Sequence, residues 1–138
     1  MINIRKHRGF TLLELLVVIG IIGIIMALAT VAYSSTQKSG RNSKRKQDLV
    51  AVQAALEQYY ASNSFVYPSG DCSVASTFLK SAWPTDPSDS ASYDGVSGCT
   101  TTSYCICAEM EGAGVSGNSG ASCDFSGLKT YYCVANLQ

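Results

Sequence analysis

Residues 5–29 read RKHRGFTLLELLVVIGIIGIIMALA, and between Phe10 and Ala29 only Thr11 and Glu14 are strongly polar. As a helix rising about 1.5 Å per residue, this run spans about 30 Å, the thickness of a bilayer's hydrocarbon core. A core helix of a soluble domain shows a polar face. This run is apolar on every side and directly follows Arg5, Lys6 and Arg8. Its one carboxylate, Glu14, needs an explanation, because a charge held in lipid is costly unless it protonates or meets a cation.

Cleavage decides what the segment is for. An ordinary export signal, cut at the A-x-A-like site Ala27-Leu28-Ala29, explains the basic start and apolar middle, but the run is long for such a signal and carries an acid. A cut between Gly9 and Phe10 instead discards MINIRKHRG and keeps the apolar helix. The string RGFTLLELLVVIGIIGII closely resembles the prepilin signal of type IV pilins and type II secretion pseudopilins. That signature is a short basic leader ending in Gly, then Phe, then Thr-Leu-x-Glu-Leu and an apolar helix. Gly9, Phe10, Thr11, Leu12, Glu14 and Leu15 supply every element, over about a sixth of the chain. The resemblance implies cleavage after Gly9 and N-methylation of the new Phe10 amine, both by a prepilin peptidase in the inner membrane.

Under that cut, a positive amine appears on Phe10, four residues before Glu14. In side-by-side helices with an axial shift, the Glu14 carboxylate of one chain meets the Phe10 amine of the next. Chains out of register would leave both charges unpaired in an apolar bundle. The alternatives are that Glu14 pairs with its own amine or snorkels to the interface. Physics alone leaves these close, and the resemblance favours the intermolecular pair. Gly20 and Gly23, the latter at small-xxx-small spacing with Ala27, allow close helix approach in lipid. The proline frequent in this region of the family is absent.

Charge is unevenly placed. Residues 1–46 hold eight bases and one acid, and the remainder holds two bases and nine acids, so the two parts carry +7 and −7. All six cysteines, Cys72, Cys99, Cys105, Cys107, Cys123 and Cys133, lie in the acidic part. An even number in a Gly/Ser-rich segment after an export-like sequence predicts disulfides formed in an oxidising compartment. Zinc fits less well, since there is no C-x-x-C and the single histidine, His7, lies in the leader. The bases after the apolar run, Lys38, Arg41, Lys44, Arg45 and Lys46, outnumber those before it, which runs against a cytoplasmic N-terminus. The cysteines' need for an oxidising side outweighs that count. This basic patch lacks interleaved aromatics and sits beside the membrane, so it predicts lipid headgroups as its neighbours over nucleic acid.

Past the membrane, Leu49, Val52, Leu56 and Tyr59 or Tyr60 recur at helical spacing, which predicts a helix from about Phe10 to Ala61 with a possible bend at Ser39-Gly40. Pro68 and Gly70 then interrupt the chain. TFLKSAW reads as a short helix ended by Pro84 and Pro87; SYCICAEME and KTYYCVANL read as antiparallel strands. Cys105 and Cys107 share one face of their strand and so need different partners; six cysteines allow fifteen pairings, and none is singled out. The predicted fold is α+β: a leader over 1–9, a transmembrane or filament-core helix over 10–29, its amphipathic continuation over 30–62, and a disulfide-stapled head with a small antiparallel sheet over 63–138.

The segment YPSGDC…LKSAWPTDPSDSASYDG partly resembles the region after the helix in major pseudopilins, where a calcium site follows a Tyr-Pro. On that likeness Asp86, Asp89 and Asp94 are weak Ca²⁺ candidates, although the spacing is not that of an EF-hand and the usual Asp-Pro-Trp-Gly run is not kept. Solvated loop acids are the plainer reading, and no other metal or cofactor is expected. With its only histidine in the leader, the chain offers no Ser-His-Asp or Cys-His set, and it has no phosphate-binding glycine loop. The sequence therefore predicts a structural subunit: a type IV pilin held in the inner membrane as a precursor and extracted by an assembly platform into a homo-oligomeric helical filament at the cell surface. A secretion or competence pseudopilin is the alternative within the class. A secreted or membrane-anchored adhesion or binding domain is the rival outside it.

Overall fold

The computed structural model describes residues 9–93, 95, 98–112 and 117–138. Helix α1 (Leu12–Ser62) is followed by a 3-10 turn at Cys72–Phe78, strand β1 (Cys105–Glu109), a 3-10 turn at Ala121–Cys123 and strand β2 (Tyr131–Ala135). The fold is α+β, as the sequence predicts. The chain divides into two compact units, one ending at Thr36 and the other covering Gln37–Gln138.

Within the first unit the helix is apolar all round, with an 18-residue window of mean hydropathy 2.9. It is long and apolar enough to cross a membrane by length and composition. Fourteen large apolar side chains between Phe10 and Leu28 are exposed. At about 2 kcal/mol for each such side chain left in water, that exposure exceeds the whole stability of a small domain, about 5–15 kcal/mol. Lipid or neighbouring helices are the environments that suit it.

In the second unit the apolar stripe is where the spacing puts it. Leu49, Val52, Ala55 and Leu56 are buried. They pack with Tyr67, Cys72, Ala75, Tyr104, Ile106 and Val134, among others, while Tyr59 and Tyr60 lie partly buried at the margin. The helix passes through Ser39-Gly40 without interruption. It ends without a glycine: Asn63 Nδ2 donates to the Tyr59 carbonyl, the Phe65 N–H donates to that of Tyr60, and Ser64 and Phe65 take left-handed φ values of 58° and 59°. Those two bonds satisfy carbonyls that the helix end would otherwise orphan.

Strands β1 and β2 pair antiparallel with Cys107 opposite Cys133 and Cys105 opposite Ala135. The bonds are Cys72–Cys99, Cys105–Cys123 and Cys107–Cys133, so Cys105 and Cys107 do take different partners. Closing loops of 27, 18 and 26 residues stabilises a small domain by about 3 kcal/mol per bond in the chain-entropy account. The short helix expected at TFLKSAW is displaced. Its place is taken by the 3-10 turn at Cys72–Phe78, because the Asp71 carboxylate caps the Ser73 N–H at 2.8 Å and the buried Cys72 and Ala75 anchor that turn in the core.

Two glycines are required by close approach. At Gly95 (φ +86°) a Cβ would stand 2.1 Å from the Cys105 carbonyl oxygen, and at Gly117 it would stand 2.1 Å from that of Tyr131. Gly70 (φ +87°) has nothing within 4 Å, so it carries the conformational demand alone. Gly95→Ala and Gly117→Ala are expected to lower stability by on the order of 3 kcal/mol, against about 1 kcal/mol for Gly70→Ala. Chemical denaturation of the three variants in one detergent checks the ranking.

Candidate functional site

The helix start is built around Thr11 and Glu14. The Thr11 N–H (2.9 Å) and Thr11 hydroxyl (2.8 Å) both donate to Glu14 Oε2, and the Glu14 N–H donates back to Thr11 Oγ1 at 3.2 Å. This is a capping box, in which an N-cap Thr and the Glu three residues on satisfy each other's backbone donors. The sequence signal for it is a T-x-x-E preceding an apolar run. Glu14 therefore has a local role that was not among the alternatives: it closes the first turn. Both Thr11 donors converge on Oε2, and among the described residues no hydrogen bond reaches Oε1. Gly9 and Phe10 precede the helix and are exposed; Met1 to Arg8 lie outside the described residues.

The second concentration of polar groups lies in the Gln37–Gln138 unit, and it corrects the reading of the basic patch. Arg45 is 3% exposed. Its Nε and Nη2 donate to the two Asp86 oxygens at 2.6 and 2.8 Å, Nη2 reaches Ser88 Oγ at 3.2 Å, and Nη1 reaches Asn42 Oδ1 at 2.9 Å and Glu111 Oε1 at 2.7 Å. Arg41 grips the same Glu111 carboxylate through Nε (2.8 Å) and Nη2. Asn42 exchanges two bonds with the Glu111 backbone, at 2.8 and 2.9 Å. One turn on, Asp48 accepts from Lys44 Nζ (2.6 Å) and the Tyr93 hydroxyl (2.8 Å). Arg41, Lys44 and Arg45 are thus partnered by acids of their own unit and do not form a row of lipid-facing charges; Lys46 lies over the Tyr132 ring at 5.5 Å.

The electrostatics follow from the pairing. Arg45 holds the Asp86 carboxyl well below the ordinary carboxylate range, helped by Ser88. Arg41, then Arg45, pulls Glu111 down to about 2 against the opposing effect of burial. Burial and the Asp48 carboxylate push the Tyr93 hydroxyl up. Lower on the helix, Glu57 accepts from Tyr67 (3.0 Å), Tyr104 (2.9 Å) and the Leu137 N–H (3.2 Å). Gln53 donates to the Ala135 carbonyl at 2.9 Å. One face of α1 therefore holds both loops and the end of β2.

Two of the three calcium candidates fall among the described residues, and both carry other partners. Asp86 is taken by Arg45, Asp89 Oδ1 accepts from the Ala91 N–H at 2.9 Å, and Asp94 lies outside the described residues. Among the described residues the one grouping of metal-ligand side chains is Cys105, Cys107 and Cys123. All three are in disulfides, so none is a thiolate available to a metal.

Residues 4–30 match the family described as the prokaryotic N-terminal methylation motif. The chain is similar to type II secretion system core protein G of Vibrio cholerae, 36% identical over 85 residues that cover 62% of this chain and 56% of the relative. It is also similar to core protein G of Dickeya chrysanthemi, 32% identical over 83 residues covering 60% and 54%. The type IV major pilin protein PilA of Myxococcus xanthus is 36% identical over 56 residues, 41% of this chain and 26% of the pilin. The chain spans about half the length of the core protein G relatives it matches. No solved structure matches it. The resemblance drawn from Gly9 to Leu15 holds: the chain carries a prepilin-type signal, and its relatives are pseudopilins and a pilin.

Replacing Arg45 by Met would leave Asp86 without its cation in a partly desolvated site and Glu111 with Arg41 alone. It is expected to cost about 3 kcal/mol, measured by denaturation. The pH dependence has a definite sign. Both carboxyls are depressed in the folded state, so their stabilisation is complete above the ordinary Glu value of 4.5 and falls away as pH drops towards 2. Stability titrated from pH 6 to 2 should fall through that window, and Arg45→Met should flatten the fall.

Proposed function

We propose that this chain is a structural filament subunit, processed after Gly9 and assembled by pairing Glu14 with the Phe10 amine of a neighbouring copy. The observation that carries the proposal is the start of α1. A carboxylate is fixed there by Thr11 with one oxygen unused, four residues beyond Phe10, at the base of a helix whose large apolar side chains from Leu12 to Leu28 are exposed. A prepilin-type signal and such a helix fit a membrane-anchored precursor. Extraction of that helix into a bundle of its own kind replaces lipid by neighbouring apolar side chains, while the capping box keeps the first turn intact in both settings. Prepilin peptidase and an inner-membrane assembly platform are the partners this cycle requires. The role is structural, in keeping with relatives that are filament proteins.

Two observations divide on which filament. Three disulfides in a domain of this size suit a pilus exposed outside the cell. The core protein G relatives favour a secretion pseudopilus, and they weigh as much as the staples do. Deletion of the gene separates them: lost surface fibres with normal export mark a pilus, and accumulation of exoproteins inside the cell marks a pseudopilus.

N-terminal sequencing of the purified native protein is expected to begin at Phe10. A start at Thr30 would make it a secreted domain and a start at Met1 a simple anchor, and either would end the proposal. Two substitutions then separate the capping role of Glu14 from its charge. Gln also serves in a capping box, so Glu14→Gln keeps the cap and loses the anion, whereas Glu14→Ala loses both. Both variants should insert in the membrane, and both should fail to appear in sheared or purified filaments. Normal assembly of Glu14→Gln would show that the cap, not the charge, is what assembly needs.

A further inference from the structure

The sulfurs at the β1 end of the sheet are closer to one another than two independent staples require. Cys105 Sγ and Cys107 Sγ, which belong to different bonds, are 3.7 Å apart, and Cys105, Cys107 and Cys123 all lie within 4.8 Å of one another. The two bonds differ in access. Cys107 and Cys133 are 3% and 2% exposed, whereas Cys105 and Cys123 are half-buried. A cavity of about 390 Å³ opens on Cys105 and Cys107, walled by Gly95, Gly98, Ser122 and Tyr131. Cys123 and its neighbour Ser122 both hold left-handed φ values, 58° and 61°. Such a conformation is strained for a non-glycine residue, and releasing Cys123 from its partner lets it relax.

We propose that these four cysteines form a thiol–disulfide exchange site, entered by the thiolate of a small dithiol at Cys105–Cys123 and relayed internally to Cys107–Cys133. In the first step the dithiol's thiolate attacks Cys123 Sγ. The Cys105–Cys123 bond breaks with its electron pair leaving on Cys105, and the reagent's second thiol resolves the mixed disulfide, leaving the reagent oxidised and Cys123 a thiol. In the second step the Cys105 thiolate, or that of Cys123, attacks Cys107 Sγ. A new bond to Cys107 forms, the Cys107–Cys133 bond breaks, and Cys133 leaves as a thiolate that takes a proton from water. This second step is an exchange with no net oxidation, between sulfurs that already stand 3.7 Å apart. The buried bond is therefore opened from inside the protein, by its neighbour, and run backwards the same relay oxidises Cys107 and Cys133 from a bond first formed at the surface. Cys72–Cys99 is buried at both ends and outside this sulfur cluster, which makes it the internal control. The inference does not depend on the filament reading.

The test uses the full oxidised chain in detergent, exposed to limiting dithiothreitol at mildly alkaline pH, quenched at intervals with an alkylating agent and mapped by peptide mass spectrometry. The expected early species has Cys133 and one of Cys105 or Cys123 alkylated, Cys107 bonded to the other, and Cys72–Cys99 intact. In the double variant Cys105→Ser/Cys123→Ser, the Cys107–Cys133 bond should outlast that of the wild type by roughly tenfold, because the only attacker left is an external thiol that must reach two cysteines with little exposed surface. Simultaneous alkylation of Cys107 and Cys133 in the wild type, with no Cys105–Cys107 or Cys107–Cys123 species, overturns the relay. So does loss of Cys107–Cys133 at the wild-type rate in a variant whose Cys72–Cys99 bond persists. Should the variant lose Cys72–Cys99 early and so prove unfolded, the wild-type map alone decides.

Discussion

A guanidinium as enclosed as that of Arg45 is tolerated only when its donors are met, and much of the Gln37–Gln138 unit is arranged to meet them. Asp86 takes it in a two-point grip, Glu111 and Asn42 take a third donor, and Arg41 shares Glu111. The loop carrying Asp86 and Ser88 and the chain leaving β1 at Glu111 are thereby fixed to one face of one helix. Hydrophobic burial at Leu49, Val52 and Leu56 supplies the non-directional part of the attachment. The charges supply direction, since a guanidinium fork accepts carboxylates at defined angles. A buried pair of this kind adds little net stability over an apolar contact of equal shape. Its contribution is to fix one arrangement of loops that have little regular structure of their own.

The same helix meets opposite demands along its length. Up to Thr36 no apolar side chain is buried among the described residues, the segment depends on lipid or on other helices, and its single acid is absorbed into its own first turn. From Arg41 onward every few residues contribute one partner to the head: Asn42, Arg45, Asp48, Val52, Gln53, Leu56, Glu57. The cap at Thr11 and Glu14 matters for the first half because a helix start in lipid has no water to satisfy its N–H groups. A residue pair that satisfies them locally leaves the segment able to exchange one apolar environment for another without unwinding its end.

What was legible in the sequence was whatever depends on short-range spacing. The 49/52/56 stripe, the two strands and the shared face of Cys105 and Cys107 all follow from periods of 3.6 or 2 residues, and all are present. The partners of Arg45 were not legible, since Asp86 lies 41 residues away and nothing in a run of bases at 38–46 distinguishes a buried Arg from a solvated Lys. The misplaced short helix shows a second limit. TFLKSAW has apolar spacing, but a cap at Asp71 and a bridge at Cys72 moved the turn upstream, and pairing cannot be read from cysteine positions alone. The capping box is legible as Thr11-x-x-Glu14, a local role for an acid whose place in an apolar run also suits an ionic one.

The three bridges also determine how the chain transmits a pull. Tension entering from α1 crosses from Cys72 to Cys99 through sulfur, leaving residues 73–98 slack, and the overlapping spans of Cys105–Cys123 and Cys107–Cys133 shield nearly all of β1, the glycine-rich loop and the start of β2. The segments that remain to stretch are the link from the end of α1 to Cys72, residues 100–104 and the last few residues. Under load such a head behaves as a short covalent strut, yielding only by the length of those three short segments where an unbridged domain would unravel along its whole contour.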